Sequence, residues 1–338
     1  MIFSRGAQKM PRMKKLLILL MYLLPLYPAY VYIKNFLYDW KILLPQKVGV
    51  KIIGVGNLSF GGSGKTPSVI AVAKYYLTRG VKVGILSRGY GRYASDDVLV
   101  ESHSWQEVGD EPLLIKNKLP EAIVFVSSNK KRGAKKLTDF GADLIVVDDA
   151  FQHRALHRDI NILMLNDLSK NKQKIAPYGN LREPLSSTKR ASWGLKTSPL
   201  GFNCGIKEFL IEQKVTGFFN PKTMSFVSKQ DFLKNKSGLN FEILTSIGSP
   251  EKFESTVRDM KINFLKSNIY ADHHRFKSKD IDDVNVSLDK KTQGLLCTEK
   301  DLIRLEEFLG QLKVPVFSVC QEYILSDSVK AELKKLII

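Results

Sequence analysis

The stretch VGNLSFGGSGKTP, residues 55–67, gathers four glycines ahead of a lysine and a threonine. An apolar run precedes it and an amphipathic one follows, so it reads as a strand-to-helix loop that cradles phosphate. Backbone N–H groups come close to phosphate oxygens only where no side chain intervenes, and a helix N-terminus adds a dipole favouring the anion. In this context Lys65 would neutralise terminal phosphates and the Thr66 hydroxyl would bind Mg2+. The usual spacing asks for glycine at position 59, where this chain has Ser59; Gly61 and Gly62 are expected to do that work. Ser59, Phe60, Gly61, Gly62, Ser63, Gly64, Lys65 and Thr66 are therefore the candidate nucleotide-binding residues. The competing reading is a glycine turn that merely precedes a helix.

Four apolar residues ending in Asp148 and Asp149 (LIVVDD, 144–149) are what the Mg2+-supporting strand of a phosphate-loop enzyme looks like. One aspartate would hold the metal's water shell. The other, with Gln152 and His153, would orient a ligand or a neighbour, unless His153 is simply bonded to a backbone carbonyl. SRGYGR (87–92) puts Arg88 at a strand end, where a cation meets phosphate. VGDEP (108–112) puts Asp110 and Glu111 before a helix, where acids also do no more than favour the helix dipole. ADHHRF (271–276) sets His273 and His274 beside an aspartate, and a carboxylate–histidine pair is a base for a hydroxyl acceptor. No metal-ligand spacing recurs for these histidines, which speaks against zinc.

These residues need a scaffold that presents strand ends. Candidate strands cover 48–57, 81–91, 122–128, 142–154 and 160–166, with helices over 67–80 and the basic run 129–141. Uniformly apolar strands alternating with helices predict a parallel sheet covered on both faces. The second half repeats the alternation, with strands over 241–247, 262–269, 293–297 and 314–319 and helices over 250–261, 278–285, 300–311 and 327–336. The stretch 170–200, rich in Pro, Gly, Ser and Lys, reads as a loop or a lid over the site.

At 338 residues the chain accommodates about two domains, and its formal charge of +18 calls for anionic partners. No aromatic–basic recognition motif supports nucleic acid as that partner. Cys204, Cys297 and Cys320 lie far apart and form neither a disulfide framework nor a zinc site, as expected of buried thiols in a reducing compartment. Near the start, Lys14 and Lys15 precede the apolar run 16–33, which Pro25 and Pro28 interrupt and aromatic residues crowd. Basic residues flank it on both sides, whereas a spanning helix carries them mainly on one. That pattern favours a segment lying in one leaflet's surface over a membrane span or a buried core helix.

Taken in order, GNLSFGGSGKTP, SRGYG, VGDEP, DDAFQHR, GNLREP (179–184), ADHHRF and TEKD (298–301) resemble the tetraacyldisaccharide 4'-kinases, the lipid A 4'-kinase family of Gram-negative bacteria. The resemblance runs from about residue 14 to 320 and includes Ser59. DDAFQHR departs from the commoner Asp-Asp-Gly-Leu-Gln-His wording but keeps both aspartates, Gln152 and His153. The resemblance implies an α/β fold with a P-loop NTPase core on a parallel sheet, a smaller α/β C-terminal domain and an N-terminal membrane-associated helix. The corresponding division is 1–45, 46–205 and 206–338. It implies transfer of the γ-phosphate of ATP, with Mg2+, to the 4'-hydroxyl of a tetraacylated glucosamine disaccharide 1-phosphate at the cytoplasmic face of the inner membrane. Asp110 would be the catalytic base, assisted by His273 rather than His274. Lys65, Thr66 and Arg88 would handle phosphates and metal; Asp148, Asp149 and Glu183 would manage Mg2+; Asn180 and Arg182 would touch phosphate or substrate. The glycolipid and an anionic membrane surface are then the partners. A membrane-associated ATPase switch or a non-catalytic nucleotide-binding scaffold are the alternatives, and neither needs an acceptor base.

Overall fold

The computed structural model describes residues 26–93, 96–166, 174–199, 204–236 and 238–336. Residues 16–25 of the N-terminal apolar run lie outside the described residues; the remainder opens the first helix, α1 (Leu26–Asp39). The first block of the sheet holds β1 (Lys51–Asn57), β2 (Val83–Ser87), β3 (Val98–Leu99), β4 (Ile123–Val126), β5 (Leu144–Val147), β6 (Ile160–Met164) and β7 (Trp193–Lys196). Its helices are α2 (Lys65–Leu77), the single turn α3 (Trp105–Val108), α4 (Asp110–Lys118) and α5 (Lys130–Asp139). The block runs in the order β7-β6-β1-β5-β2-β4, parallel throughout, with β3 antiparallel at its edge. Its central strands are buried throughout apart from Lys51 at the start of β1, as a sheet covered on both faces requires.

A 13-residue strand, β8 (Glu208–Asn220), carries the sheet onward. Beyond it come β9 (Ser225–Ser228), α6 (Lys229–Asn235), β10 (Asn240–Thr245), α7 (Pro250–Asp259), β11 (Phe264–Ile269), α8 (Ser278–Ser287), β12 (Thr292–Thr298), α9 (Glu299–Leu305), β13 (Val316–Leu325) and α10 (Asp327–Lys334). The strands β13-β12-β10-β11 form a second parallel block. The two blocks meet through β8. Its first residues pair parallel with β7, Leu210 opposite Lys196, and the rest pairs antiparallel with β13, Ile211 opposite Leu325. The second block therefore runs back towards the first, and the C-terminal ends of both blocks' strands converge near residues 210–213. No boundary at 205/206 interrupts the sheet, and α10 returns Val329 and Leu333 to the core beneath α2.

Two expectations change. The stretch 170–200 is, over its described residues 174–199, packed rather than lid-like. It carries a 3-10 turn (Leu185–Arg190) and β7, and Leu181 is buried beside Leu58 and Phe151 under the glycine loop. Glu183 is fully buried away from solvent, and its carboxylate is held by Arg190, by Asn35 Nδ2 at 3.2 Å and by Lys34 Nζ at 3.7 Å. Arg154 adds a bond to the Asn35 carbonyl at 3.1 Å and an ion pair to Asp39 at 2.7 Å. These polar contacts dock α1 on the first block. Removing one partner of a buried ion pair strands the other charge. Glu183→Ala is accordingly expected to cost about 3–5 kcal/mol in chemical denaturation, and the double replacement Glu183→Met, Arg190→Met to recover most of it.

Candidate active site

Because the strand ends of both blocks converge, the loops that follow them wall a single cleft of about 1350 Å3. Ligands of open α/β sheets bind at the carboxyl ends of the strands. The first block contributes the loops after β1, β2 and β5. The second contributes Ile247–Ser249 after β10, Asp272 and His273 after β11, and Thr298–Lys300 at the end of β12.

Helix α2 starts at Lys65, so its first N–H groups point into the glycine loop. Gly61 and Gly64 have φ of 111° and 84°, in the region that glycine tolerates. A Cβ on Gly64 would also lie 2.4 Å from Tyr323 Oη, since β13 brings that ring down onto the loop. Asn57 and Asn166 brace the loop from below, Asn57 Nδ2 donating to the Ser59 carbonyl at 2.8 Å and Asn166 Nδ2 to the Ser63 carbonyl at 3.1 Å. Asn180 Nδ2 donates to the Phe60 carbonyl at 3.0 Å and Gln152 Nε2 to that of Asn57 at 2.8 Å. Both therefore hold the loop. Ser63 Oγ is buried on the cleft wall without a hydrogen-bond partner among the described residues.

Lys65 Nζ lies 3.2 Å from Asn57 Oδ1 and 3.7 Å from Asp149 Oδ1. Arg182 Nη1 donates to both oxygens of Asp149 at 2.8 Å. Burial raises the Asp149 pKa, but Lys65, Arg182 and Lys130 outweigh it and hold the carboxyl well below the usual range. Asp148 is pushed up to about 7 by burial and by the charges of Glu111 and Asp149. Lys130 is buried beneath the pair, donating to both backbone carbonyls, and burial draws it down to about 8. His153, half-buried, is lowered to about 3 by burial and by Lys130. Arg88 stands on the cleft wall at the end of β2.

The second cluster faces this one. Gly109 (φ 96°) and Gly89 (φ 66°) press together so closely that a Cβ on Gly109 would lie 3.0 Å from Gly89 Cα. That contact joins SRGYG to VGDEP and makes Asp110 and Glu111 the first residues of α4 rather than its forerunners. His273 (φ 56°) is fixed by its N–H to the Ser246 carbonyl at 3.1 Å. Its Nδ1 is 3.0 Å from Asp110 Oδ2, and its Nε2 is 3.2 Å from Lys300 Nζ. Arg304, 1 % exposed, donates from Nη1 to Asp110 Oδ2 at 2.9 Å, and from Nη2 to Asp301 Oδ1 at 2.7 Å and the Ser246 carbonyl at 3.1 Å. Burial raises the Asp110 pKa, yet the His273 hydrogen bond and the Lys300 and Arg304 charges bring it to about 2. His273 is on the cleft wall and Asp110 lies behind it. His274 instead bonds Asp280 at 3.0 Å and stacks on Tyr270.

The structure thus gathers Lys65, Thr66, Arg88, Asp148, Asp149, Arg182 and His273 around one space, with Asp110 one bond behind. It does not place Glu183 there, because that carboxylate is spent docking α1. Glu111, Lys300, Arg304 and Lys130 are the groups that sequence reasoning left without a role. TEKD pointed at Lys300, whereas Arg304, four residues beyond it, carried no signal.

The chain resembles known proteins over almost all of its length. A family model described as tetraacyldisaccharide-1-P 4'-kinase matches residues 16–338. It is 33% identical over 295 residues to a tetraacyldisaccharide 4'-kinase of Aquifex aeolicus, covering 84% of this chain and 88% of the relative. It is 35% identical over 309 residues to one of Flavobacterium psychrophilum, covering 84% and 86%. A crystal structure of LpxK from Aquifex aeolicus in complex with ATP superposes with a TM-score of 0.74 at 30% identity, covering 94% of this chain and 97% of that one.

A carboxylate whose pKa is depressed on folding contributes stability above its unfolded pKa and loses it as pH falls through the folded value. For Asp110 that window runs from about pH 4 down to about 2. Asp110→Asn is expected to lower stability at pH 7 by about 2 kcal/mol, with the gap to wild type closing across that window in acid unfolding curves.

Proposed function

The chain belongs to the tetraacyldisaccharide-1-P 4'-kinase family, and we propose that it moves the γ-phosphate of ATP to the 4'-hydroxyl of a tetraacylated glucosamine disaccharide 1-phosphate in lipid A synthesis. The observation that carries this reading is the pairing of a phosphate loop with a carboxylate-backed histidine across one cleft. An ATPase switch accounts for the loop and leaves Asp110, His273 and Arg304 unexplained.

The site fits its ligands. Ser63 Oγ, without a partner among the described residues, the glycine backbone and Lys65 suit the phosphates, with Arg88 at the end of β2 lining the same cleft. Thr66, Asp148 and Asp149 offer the hard oxygen donors that Mg2+ takes, and bound there it would screen the phosphate charge. Arg182 orients Asp149. In the transfer, the 4'-oxygen bonds to the γ-phosphorus, the bond to the β–γ bridging oxygen breaks, and ADP leaves with that electron pair. The hydroxyl proton passes to Nε2 of His273. Asp110, held ionised, accepts the Nδ1 proton in a hydrogen bond and stabilises the imidazolium that forms. This order puts His273 against the acceptor and Asp110 in support, the reverse of the roles that the family resemblance suggests.

The division into a phosphate-loop core over 46–205 and a C-terminal part over 206–338 is kept as a division of labour, one bringing the nucleotide site and the other His273. Among the described residues no helix is long and apolar enough to cross a membrane. The exposed side chains Tyr30, Ile33, Phe36, Trp40, Ile42 and Leu44 extend an apolar surface from α1, whose Tyr27 is at the cleft. Surface-lying apolar segments with basic neighbours bind anionic leaflets. The enzyme therefore works from the cytoplasmic face of the inner membrane, with ATP on the water side and the lipid presented at the mouth of the cleft.

Detergent-solubilised protein given γ-labelled ATP, Mg2+ and the tetraacyldisaccharide 1-phosphate is expected to label the lipid. Lys65→Ala and Asp110→Ala should each lose about 100-fold or more of that rate. ATP hydrolysis without lipid label, equal in Asp110→Ala and wild type, would favour the switch. Trp40→Ser with Leu44→Ser should weaken sedimentation with anionic vesicles and slow turnover of vesicle-borne substrate more than of substrate in detergent.

A further inference from the structure

Lys300, the third residue of TEKD, stands on the cleft wall and has no part in the transfer described above. Its Nζ donates to Glu111 Oε1 at 3.0 Å, sits 3.2 Å from His273 Nε2 and lies 4.0 Å from Asp110 Oδ2. Burial would favour the neutral amine, but Glu111 and Asp110 overcome it, with Arg304 opposing them, and Lys300 stays a cation. An ammonium has three donors and no acceptor, so the Nε2 it meets must be the unprotonated nitrogen. Asp110 is an acceptor only, so Nδ1 must carry the hydrogen. The two contacts thereby select the Nδ1–H tautomer, with the Nε2 lone pair covered by Lys300 and Asp272 Oδ1 further off at 3.9 Å.

The lone pair that must take the hydroxyl proton is therefore occupied before the nucleotide arrives. Lys300 is also a cation on the C-terminal wall, facing the phosphate loop across the cleft. A phosphate oxyanion makes a stronger, charge-assisted bond to an ammonium than a neutral imidazole does. We propose that Lys300 is a γ-phosphate ligand supplied by the C-terminal half, and that it caps His273 until a triphosphate draws it away. The inference rests on the kinase reading. It makes the base available only when a phosphoryl group is in place to be transferred. The diphosphate product no longer holds Lys300, which returns to Nε2.

The test is titration calorimetry on the full chain in detergent with Mg2+, using ADP and the non-hydrolysable β,γ-methylene analogue of ATP. Lys300→Met should weaken the analogue roughly tenfold or more and leave ADP within about twofold of wild type, with Lys300→Arg keeping most of the preference. In histidine-labelled wild type the His273 Nε2 nitrogen resonance should move with the analogue and stay put with ADP. Equal weakening of both nucleotides, no weakening of either, or an Nε2 signal that responds alike to both would overturn the role of Lys300. The nitrogen spectra use the wild-type chain, so they decide the matter even if the methionine variant folds poorly. A wild-type chain that binds neither nucleotide and labels no lipid would overturn the kinase reading instead.

Discussion

Arg304 is the hinge-pin of the site. A guanidinium out of contact with water needs acceptors for its donors; here Nη1 finds Asp110 from the first block and Nη2 finds Asp301 and the Ser246 carbonyl from the second, while Nε has no partner among the described residues. Asp301 is tied in turn to Thr245, Ser246 and Thr298. Through these bonds the position of Asp110 relative to His273 is set by packing of the C-terminal half. The carboxylate that backs the base belongs to one half of the molecule and the base to the other, and a buried charge holds them in register.

That register depends on the topology of the sheet. In a single parallel array the second block's strand ends would point the same way as the first's, and the loops after β11 and β12 would lie far from the phosphate loop. Reversal at β8 turns the two blocks head to head. Each block keeps the usual arrangement, with functional loops at the carboxyl ends of strands, and the cleft gains a wall from each. Glycine supplies the close approaches on both sides, at Gly64 under Tyr323 and at Gly89 against Gly109.

Much of this was legible in the sequence because local chemistry dictated it. The apolar runs that became β1, β2, β4, β5 and β6 lie where the pattern put them, and Lys65, Asp149 and His273 share one space. What escaped was what depends on distant partners. Strand β8 alternates only over its first few residues, because Glu212, Gln213 and Lys214 are exposed in a row while Gly217 and Phe218 are both buried, so no period carries through it. The 174–199 segment has the composition of a loop, yet it is pinned under the glycine loop by backbone pairing with Leu58 and Ser59. Glu183 sits in a motif full of functional residue types. Only the structure shows its charge turned towards Arg190 and α1. An arginine near the end of a seven-residue helix gives no sign from sequence that it will be buried against an aspartate 194 residues away.

The return of β13 and α10 has a consequence for how the chain is made. Leu325, Val329 and Leu333 complete the core under α2, and Tyr323 closes over the glycine loop, yet all four belong to the last sixteen residues. Contacts of such long sequence separation form late and slowly. During synthesis, then, the first two hundred residues can build a parallel sheet while the phosphate loop still lacks its cover and α2 its lower face. An emerging chain of this kind exposes apolar surface until residues 323–333 are free to pack. The phosphate loop thus gains its cover, and α2 its lower face, only once residues 323–333 have joined the sheet.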